Sequence, residues 1–366
     1  MGKQTGAYSE LKMAWWALRE SYPPKSPKQI HWILSDLCNQ DCHFCAYRME
    51  GYTSNELFME GAKASAYGHD NPVRWIPTER ALRMIDEFKS AGVLSLQFTG
   101  GGEPTVQPDH EQIFEKALSL GFKCALVSNG YRWRDRIYNS IKDFEWIRVS
   151  IDAGNAKSYS EIRRVPLSAW DKAWSNVRKL VEVCKKQDKR PYIGLGFVVT
   201  PRSYTEIEEF TRLGLEAGVD NVRFTAFFNV DNEKPLLPIY QETVDILAST
   251  KAKYGDKITI YDNFGTRFDD LKQQHPEYSM CPYQYYTTYI GGDLQSYRCC
   301  VLAYNKRGLV AGGDLKERRF DEFWNSQERK DDLASLDARG CPRCQFNQKN
   351  RDLLYVIGDA KHVEFP

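Results

Sequence analysis

Three cysteines near the start of the 366-residue chain, Cys38, Cys42 and Cys45, are spaced C-x3-C-x2-C. Thiolates at that spacing can each take one iron of a four-iron cubane and leave the fourth iron open to a ligand. They would serve as well in a zinc site whose fourth ligand lies elsewhere. Four more cysteines recur toward the other end. Cys281 and Cys299 are separated by 17 residues, and Cys341-Pro342-Arg343-Cys344 is a C-x2-C pair. Four thiolates complete a second cubane, and on spacing they suit tetrahedral zinc equally. Cys300 directly follows Cys299 and could be the ligand in its place.

A second kind of chemistry sits in Thr99-Gly100-Gly101-Gly102-Glu103-Pro104. Consecutive glycines let a ligand approach the backbone closely, and the Glu103 carboxylate can accept hydrogen bonds from an ammonium group. Alone, such a turn is an ordinary strand–helix connection. It gains weight from the cysteine loop one strand earlier.

These residues need elements to position them. Strand-like runs cover 29–37, 94–100, 123–130, 146–154, 192–200 and 221–228, and amphipathic stretches at 77–92, 168–187 and 203–218 lie between them. Pro77 with Thr78 and Glu79 reads as a helix start, and Gly92 and Gly218 fit positions just past helix ends. Six strand–helix units in series predict a parallel sheet wrapped by helices. Six strands are too few to close an eight-stranded barrel, so the expected fold is α/β, a partial (β/α)6 TIM-like barrel. Chemistry in such folds sits at the C-terminal ends of the strands, and the cysteine loop leaves the first strand at that face. After about residue 257 the alternation breaks into short β-like pieces separated by Gly, Pro and Cys. The expected organisation is an N-terminal extension over 1–28, the partial barrel over 29–256 and a small cluster-binding C-terminal domain over 257–366, held together by its metal centre. The stretch 47–76 is a long insertion, and connections of that length are functional or partly folded.

Composition excludes other classes. Lys and Arg total 50 against 49 Asp and Glu, a formal charge of +1. Near-neutrality gives no electrostatic footprint for nucleic acid or an anionic membrane. No apolar run approaches a membrane span, and the N-terminus has no continuous signal-peptide core. The expected location is the cytoplasm, where ten cysteines point to metal or catalysis rather than disulfides.

The cysteine loop and the glycine–glycine–glutamate turn together resemble the radical S-adenosylmethionine (SAM) superfamily, over the strand–helix region through about residue 228. The resemblance implies that Cys38, Cys42 and Cys45 bind a 4Fe-4S cluster whose open iron chelates the amino and carboxylate groups of SAM. It implies further that Gly101, Gly102 and Glu103 bind the SAM amino group, with Phe44, just before the last cysteine, beside them. Ser128 of Ser128-Asn129-Gly130 ends the third strand. Ser150 and Asp152 end the fourth, where the family often contacts a ribose hydroxyl. Arg163, or failing it Arg164, resembles the position that sends an arginine to the SAM carboxylate. The family's glycine motif of the fifth strand is only loosely present as Gly194-Leu195-Gly196, which puts adenine contacts there in doubt. Cys281, Cys299, Cys341 and Cys344 resemble the ligand set of the twitch domain, a shortened SPASM auxiliary-cluster domain, and imply a second 4Fe-4S cluster.

The implied activity is a 5′-deoxyadenosyl radical that abstracts hydrogen from a substrate carbon, after reduction by flavodoxin or ferredoxin. Four protein cysteines would leave the second cluster no open iron, which favours an electron-relay role and a net two-electron oxidation. Twitch relatives include an aminocyclitol alcohol dehydrogenase, so the expected substrate is a polar small molecule of sugar or cyclitol kind. Peptide or protein modification is the alternative. Those relatives often carry a recognition domain of about 80 residues, whereas 28 residues precede the first strand here. A non-catalytic Fe–S or zinc scaffold is a third possibility of a different class. Cys124 on a strand and Cys184 on a helix read as small buried hydrophobes. Tyr283, Tyr285, Tyr286, Tyr289 and the pair Trp15-Trp16 read as packing, and His43 as a neighbour of the cluster or an exposed side chain.

Overall fold

Period-two alternation in the strands separates two environments. In β1 (Gln29–Trp32) Ile30 and Trp32 point outward into a helix-covered apolar layer, while Gln29 and His31 face the barrel interior. The computed structural model describes residues 17–49, 52–59 and 74–359. Its strands follow in order: β2 (Ser95–Phe98), β3 (Lys123–Ser128), β4 (Trp146–Ser150), β5 (Tyr192–Val199), β6 (Asn221–Ala226), β7 (Thr259–Asn263), β8 (Thr287–Ile290), β9 (Gln295–Tyr297) and β10 (Leu309–Asp314). They form one ten-stranded sheet in the order β10-β9-β8-β1-β2-β3-β4-β5-β6-β7. The eight strands β8 and β1 to β7 are parallel, and β9 and β10 continue antiparallel from β8.

The six expected strands are all present as a parallel α/β partial barrel. The residues after 257 add two more, β7 beside β6 and β8 beside β1. An unpaired sheet edge presents a row of free N–H and C=O groups that recruits such strands. Because β7 and β8 do not pair with each other, the barrel stays open along that seam.

Helices cover the outer face. In α1 (Thr78–Ser90), Ala81, Met84, Ile85 and Phe88 recur at helical spacing and are fully buried. Phe88 meets Trp32 edge-on at 5.1 Å. The chain continues through α2 (His110–Ser119), α3 (Ala156–Arg163), α4 (Ser168–Cys184), α5 (Ile207–Ala217), α6 (Tyr240–Tyr254), α7 (Phe264–Gln273) and α8 (Asn347–Leu354). Gly92 and Gly218 take φ of +79° and +77°, the left-handed geometry expected just past helices. Among the described residues no helix is long and apolar enough to cross a membrane. Trp15-Trp16 and, within the 47–76 insertion, residues 50–51 and 60–73 lie outside the described residues.

Candidate active site

The cysteine loop is fixed on two sides. On one side, the glycine turn is tied to the segment leading into Cys38: Gly102 N–H donates to Ser35 O at 3.0 Å and Glu103 N–H to Leu37 O at 2.8 Å. This approach is close enough that a Cβ on Gly102 would lie 2.1 Å from Leu37 O, and one on Gly101 2.9 Å from Asp36 Oδ1. Gly102 therefore serves a backbone-to-backbone contact that sets Glu103 beside Cys38, and Gly101 packs under the Asp36 and Tyr304 side chains. On the other side, Asp41 N–H donates to Arg163 O and His43 N–H to Ile162 O, both at 3.1 Å, which binds the loop to the end of α3. His43 is half-buried there.

Glu103 is 2% exposed. Its Oε1 accepts from Ser128 Oγ at 2.7 Å and from Thr105 Oγ1 and N–H at 2.8 and 3.2 Å; its Oε2 accepts from Asn129 N–H at 2.8 Å. Burial raises its pKa, and these donors pull it back toward the ionised form. Three donors occupy Oε1, but Oε2 holds one and keeps a lone pair for a cation. Ser128 is saturated: besides donating to Glu103 it accepts from Gly130 N–H and Trp133 Nε1, each at 3.0 Å. Its hydroxyl positions Glu103. Asn129 bridges the two halves, donating to Asn39 Oδ1 at 2.7 Å and reaching Cys38 Sγ at 3.8 Å.

Arg163 is buried and faces the loop, donating to Gln40 Oε1 at 2.8 Å and to Cys42 Sγ at 3.5 Å, and pairing with Asp152 Oδ2. Arg164 is outside, paired with Asp41 at 2.9 Å. Asp152, at φ +63°, turns its other oxygen to Val198 N–H at 2.6 Å. Phe44, Ser150 and Asp152 line a cavity of about 260 Å3 at the C-terminal strand ends. It shares Arg148, Arg223, Arg267 and Gln345 with a cavity of about 920 Å3 in the barrel interior.

The loop's chemistry suits a cluster and an anionic ligand. Burial, with the nearness of Cys42, pushes Cys38 up to about 12 and Cys45 up to about 11, and burial also raises Cys42. Thiolates there need the countercharge of metal ions. Arg163 Nε, Arg48 Nε and Nη2 and Asn39 Nδ2 are buried without a partner among the described residues, donors left for a ligand. Among the described residues no three His, Cys, Asp or Glu side chains converge on a single metal ion. A cubane asks instead for one thiolate at each of several corners.

The later cysteines come together from three separate segments. Cys281, Cys299, Cys341 and Cys344 line one apolar cavity with Tyr278, Tyr283, Val301, Leu302 and Phe346. Phe346 N–H donates to Cys344 Sγ at 3.3 Å, and Asn350 lies 3.6 Å from Cys281 Sγ. Cys300 faces away, into the barrel cavity beside Tyr289. Cys124 and Cys184 are buried in the apolar layer.

Some contributors were not singled out from sequence. Gln40, inside the C-x3-C spacing, accepts from Arg163 and donates to Tyr159 OH at 2.9 Å. Tyr283 and Tyr289 are packed as expected, yet both also line the barrel cavity. Tyr289 stacks on His31 at 4.2 Å and Tyr283 on Phe346 at 4.1 Å. Arg148 and Arg223 occupy inward positions of β4 and β6, and a charge inside an otherwise apolar strand was the available signal.

Fold and site together define an open parallel barrel with a three-cysteine loop at the catalytic end of its first strand. The chain belongs to the radical SAM superfamily, whose family model matches residues 32–214. That membership brings SAM and a 4Fe-4S cluster. The chain is 28% identical over 207 residues to an AdoMet-dependent heme synthase of Methanosarcina barkeri, covering 56% of this chain and 51% of that protein. It is 25% identical over 136 residues to an S-adenosylmethionine-dependent nucleotide dehydratase of Flammeovirga pacifica, covering 37% of this chain and 42% of that one. The chain thus spans about half the length of the curated relatives it matches. Among solved structures, Streptococcus suis SuiB bound to precursor peptide SuiA superposes with a TM-score of 0.62 at 15% identity, over 85% of this chain and 67% of that one. This likeness is one of fold.

Proposed function

We propose that this radical SAM enzyme carries a second 4Fe-4S cluster and oxidises a polar small molecule, sugar- or cyclitol-like, by two electrons. The observation that carries the reading is the meeting of Cys281, Cys299, Cys341 and Cys344 around one apolar cavity. In this reading Cys38, Cys42 and Cys45 hold the SAM cluster, and the last hundred residues house the auxiliary one. When bound, these groups supply a 5′-deoxyadenosyl radical for hydrogen abstraction and an acceptor for the second electron; flavodoxin or ferredoxin is the reductant.

The chain's own residues bind and orient. Glu103 offers the free lone pair of Oε2 to the SAM ammonium, held in place by Ser128, Thr105 and Asn129. Arg163 offers Nε to the SAM carboxylate, with Asp152 and Gln40 fixing its guanidinium plane. Phe44, Gly101, Gly102, Ser150 and Asp152 complete the SAM pocket. The barrel cavity, lined by polar and aromatic strand residues such as His31, Gln97, Tyr289 and Asn221, holds the substrate beside the SAM pocket.

Iron analysis and 5′-deoxyadenosine assay of anaerobically purified protein test the reading. The expected content is about eight irons from two cubanes. Replacing Cys38, Cys42 and Cys45 together by Ala should leave about four irons and no SAM cleavage. If that variant still makes 5′-deoxyadenosine, the assignment of the SAM cluster fails.

A further inference from the structure

Four cations face the barrel cavity: Arg148 from β4, Arg223 from β6, Arg267 from α7 and Lys349 from α8. Arg267 is neutralised, donating to Asp270 Oδ2 at 2.8 Å and to the Gln345 carbonyl. Among the described residues lining that cavity Asp270 is the one acid, and it also accepts from Asn347 at 2.9 Å. In the adjoining pocket Asp152 is committed to Arg163. Among the described residues Arg148, Arg223 and Lys349 make no ion pair. Arg148 rests against the Trp146 ring and Lys349 against Tyr283 and Phe346, while Arg223 Nε is buried without any partner.

The backbone is arranged to allow this. Strand β5 runs between the two arginine-bearing strands, and its two central inward positions, between Tyr192 and Val198, are Gly194 and Gly196. Gly196 pairs in register with Arg223, and a Cβ on it would already touch Arg148 Cδ at 3.5 Å. A Cβ on Gly194 would collide with Asn221 at 2.4 Å. The loosely matched glycine motif thus clears floor space between two guanidinium groups. Their mutual nearness has an electrostatic cost: burial, then Arg148 and Arg267, push Arg223 down to about 10, and burial, then Arg223 and Arg267, lower Lys349. Asp152 lies near enough to favour the charge on Arg148 without pairing with it; three cations without an ion-pair partner, converging inside a cavity, are a site for an anion.

Resting on the function proposed above, we infer that the substrate carries a phosphoryl group, held in the barrel cavity by Arg148, Arg223 and Lys349. A phosphoryl dianion matches three cations better than one carboxylate does, and its oxygens accept the forked donors of two arginines. It also anchors the substrate on the floor of the cavity, with the remainder of the molecule reaching toward Phe44, Ser150 and Asp152.

The test uses the cluster-loaded enzyme, with inorganic pyrophosphate as the probe and calorimetry as the readout. Pyrophosphate should bind, weakening steeply as salt rises. Arg148→Gln and Arg223→Gln should each reduce its affinity roughly ten-fold or more, the loss of a charge-assisted contact. Arg212→Gln, on the surface between Glu209 and Glu216, should not change it. Arg223→Lys, which keeps the charge, should restore part of the affinity and covers the case in which the glutamine variant fails to fold. Absence of pyrophosphate binding, or equal binding by all variants, overturns the inference. So does citrate binding more tightly than pyrophosphate, which would make the anion a carboxylate. A fall in SAM affinity with pyrophosphate binding intact would assign the cations to SAM and overturn it as well. The parent reading fails separately, through the iron count and 5′-deoxyadenosine formation, neither of which depends on pyrophosphate.

Discussion

Glu103→Gln separates positioning from ligand binding at the centre of the site. The carboxylate accepts four hydrogen bonds, three on Oε1 and one, from Asn129 N–H at 2.8 Å, on Oε2. Glutamine keeps one acceptor oxygen. With that oxygen toward Ser128 and Thr105, its NH2 group faces the Asn129 N–H donor, and that bond is lost. A hydrogen bond to a charged group is worth about 1.5–3 kcal/mol, so stability should fall by about that amount. The charge opposite the SAM ammonium disappears too. That second loss, of similar size, shows only in SAM binding, as a drop of roughly ten- to hundred-fold. Urea unfolding would read the first effect, and calorimetry on cluster-loaded protein the second. Thr105→Val is the control: it removes one donor from Oε1 at 2.8 Å but leaves the charge, so stability should fall by about 1 kcal/mol with SAM affinity nearly unchanged. SAM affinity within about twofold of wild type in Glu103→Gln, alongside reduced stability, would refute the binding role and leave Glu103 a purely structural carboxylate.

Three further outcomes follow from the geometry. Cys344→Ala should lower the iron content toward about four per chain and destabilise the cluster-loaded protein, whereas Cys300→Ala, which faces the barrel cavity, should keep about eight; iron analysis of both variants decides between the neighbours Cys299 and Cys300. Arg163→Lys replaces a fork that contacts Asp152, Gln40 and Cys42 with a point charge, and should weaken SAM binding about ten-fold in calorimetry; unchanged affinity would remove Arg163 from the SAM site. Burial, with the charges of Lys349 and Arg148, pushes His31 down to about 3, while in the unfolded chain it titrates near 6.5. The unfolded state alone takes up that proton, so stability present above pH 6.5 is lost as pH falls. The loss should be about 2 kcal/mol by pH 5. Urea unfolding at pH 7.5 and 5 should show that drop shrinking in His31→Phe, and an equal drop in both proteins would exclude His31 as its source.

What the sequence determined by itself was local. The C-x3-C-x2-C loop, the glycine–glutamate turn and the alternation of strands with helices are patterns within short windows, and short windows set both thiolate spacing and backbone geometry. The six parallel strands followed from that alternation because a crossover helix leaves few other topologies. What only the tertiary structure decided involves residues far apart in the chain. Strands β7 and β8 join opposite edges of the barrel sheet, which depends on which edges remain unpaired. Cys299 and Cys300 are equivalent in sequence, yet in the irregular segment after β9 one faces the apolar cavity and the other the barrel. Ser128 stood out as a contact residue, but its hydroxyl is spent on Glu103, Gly130 and Trp133. The cation group formed by Arg148, Arg223 and Lys349 exists only because β4, β6 and α8 face one cavity, and a charge reads as solvated along the chain until the fold turns it inward.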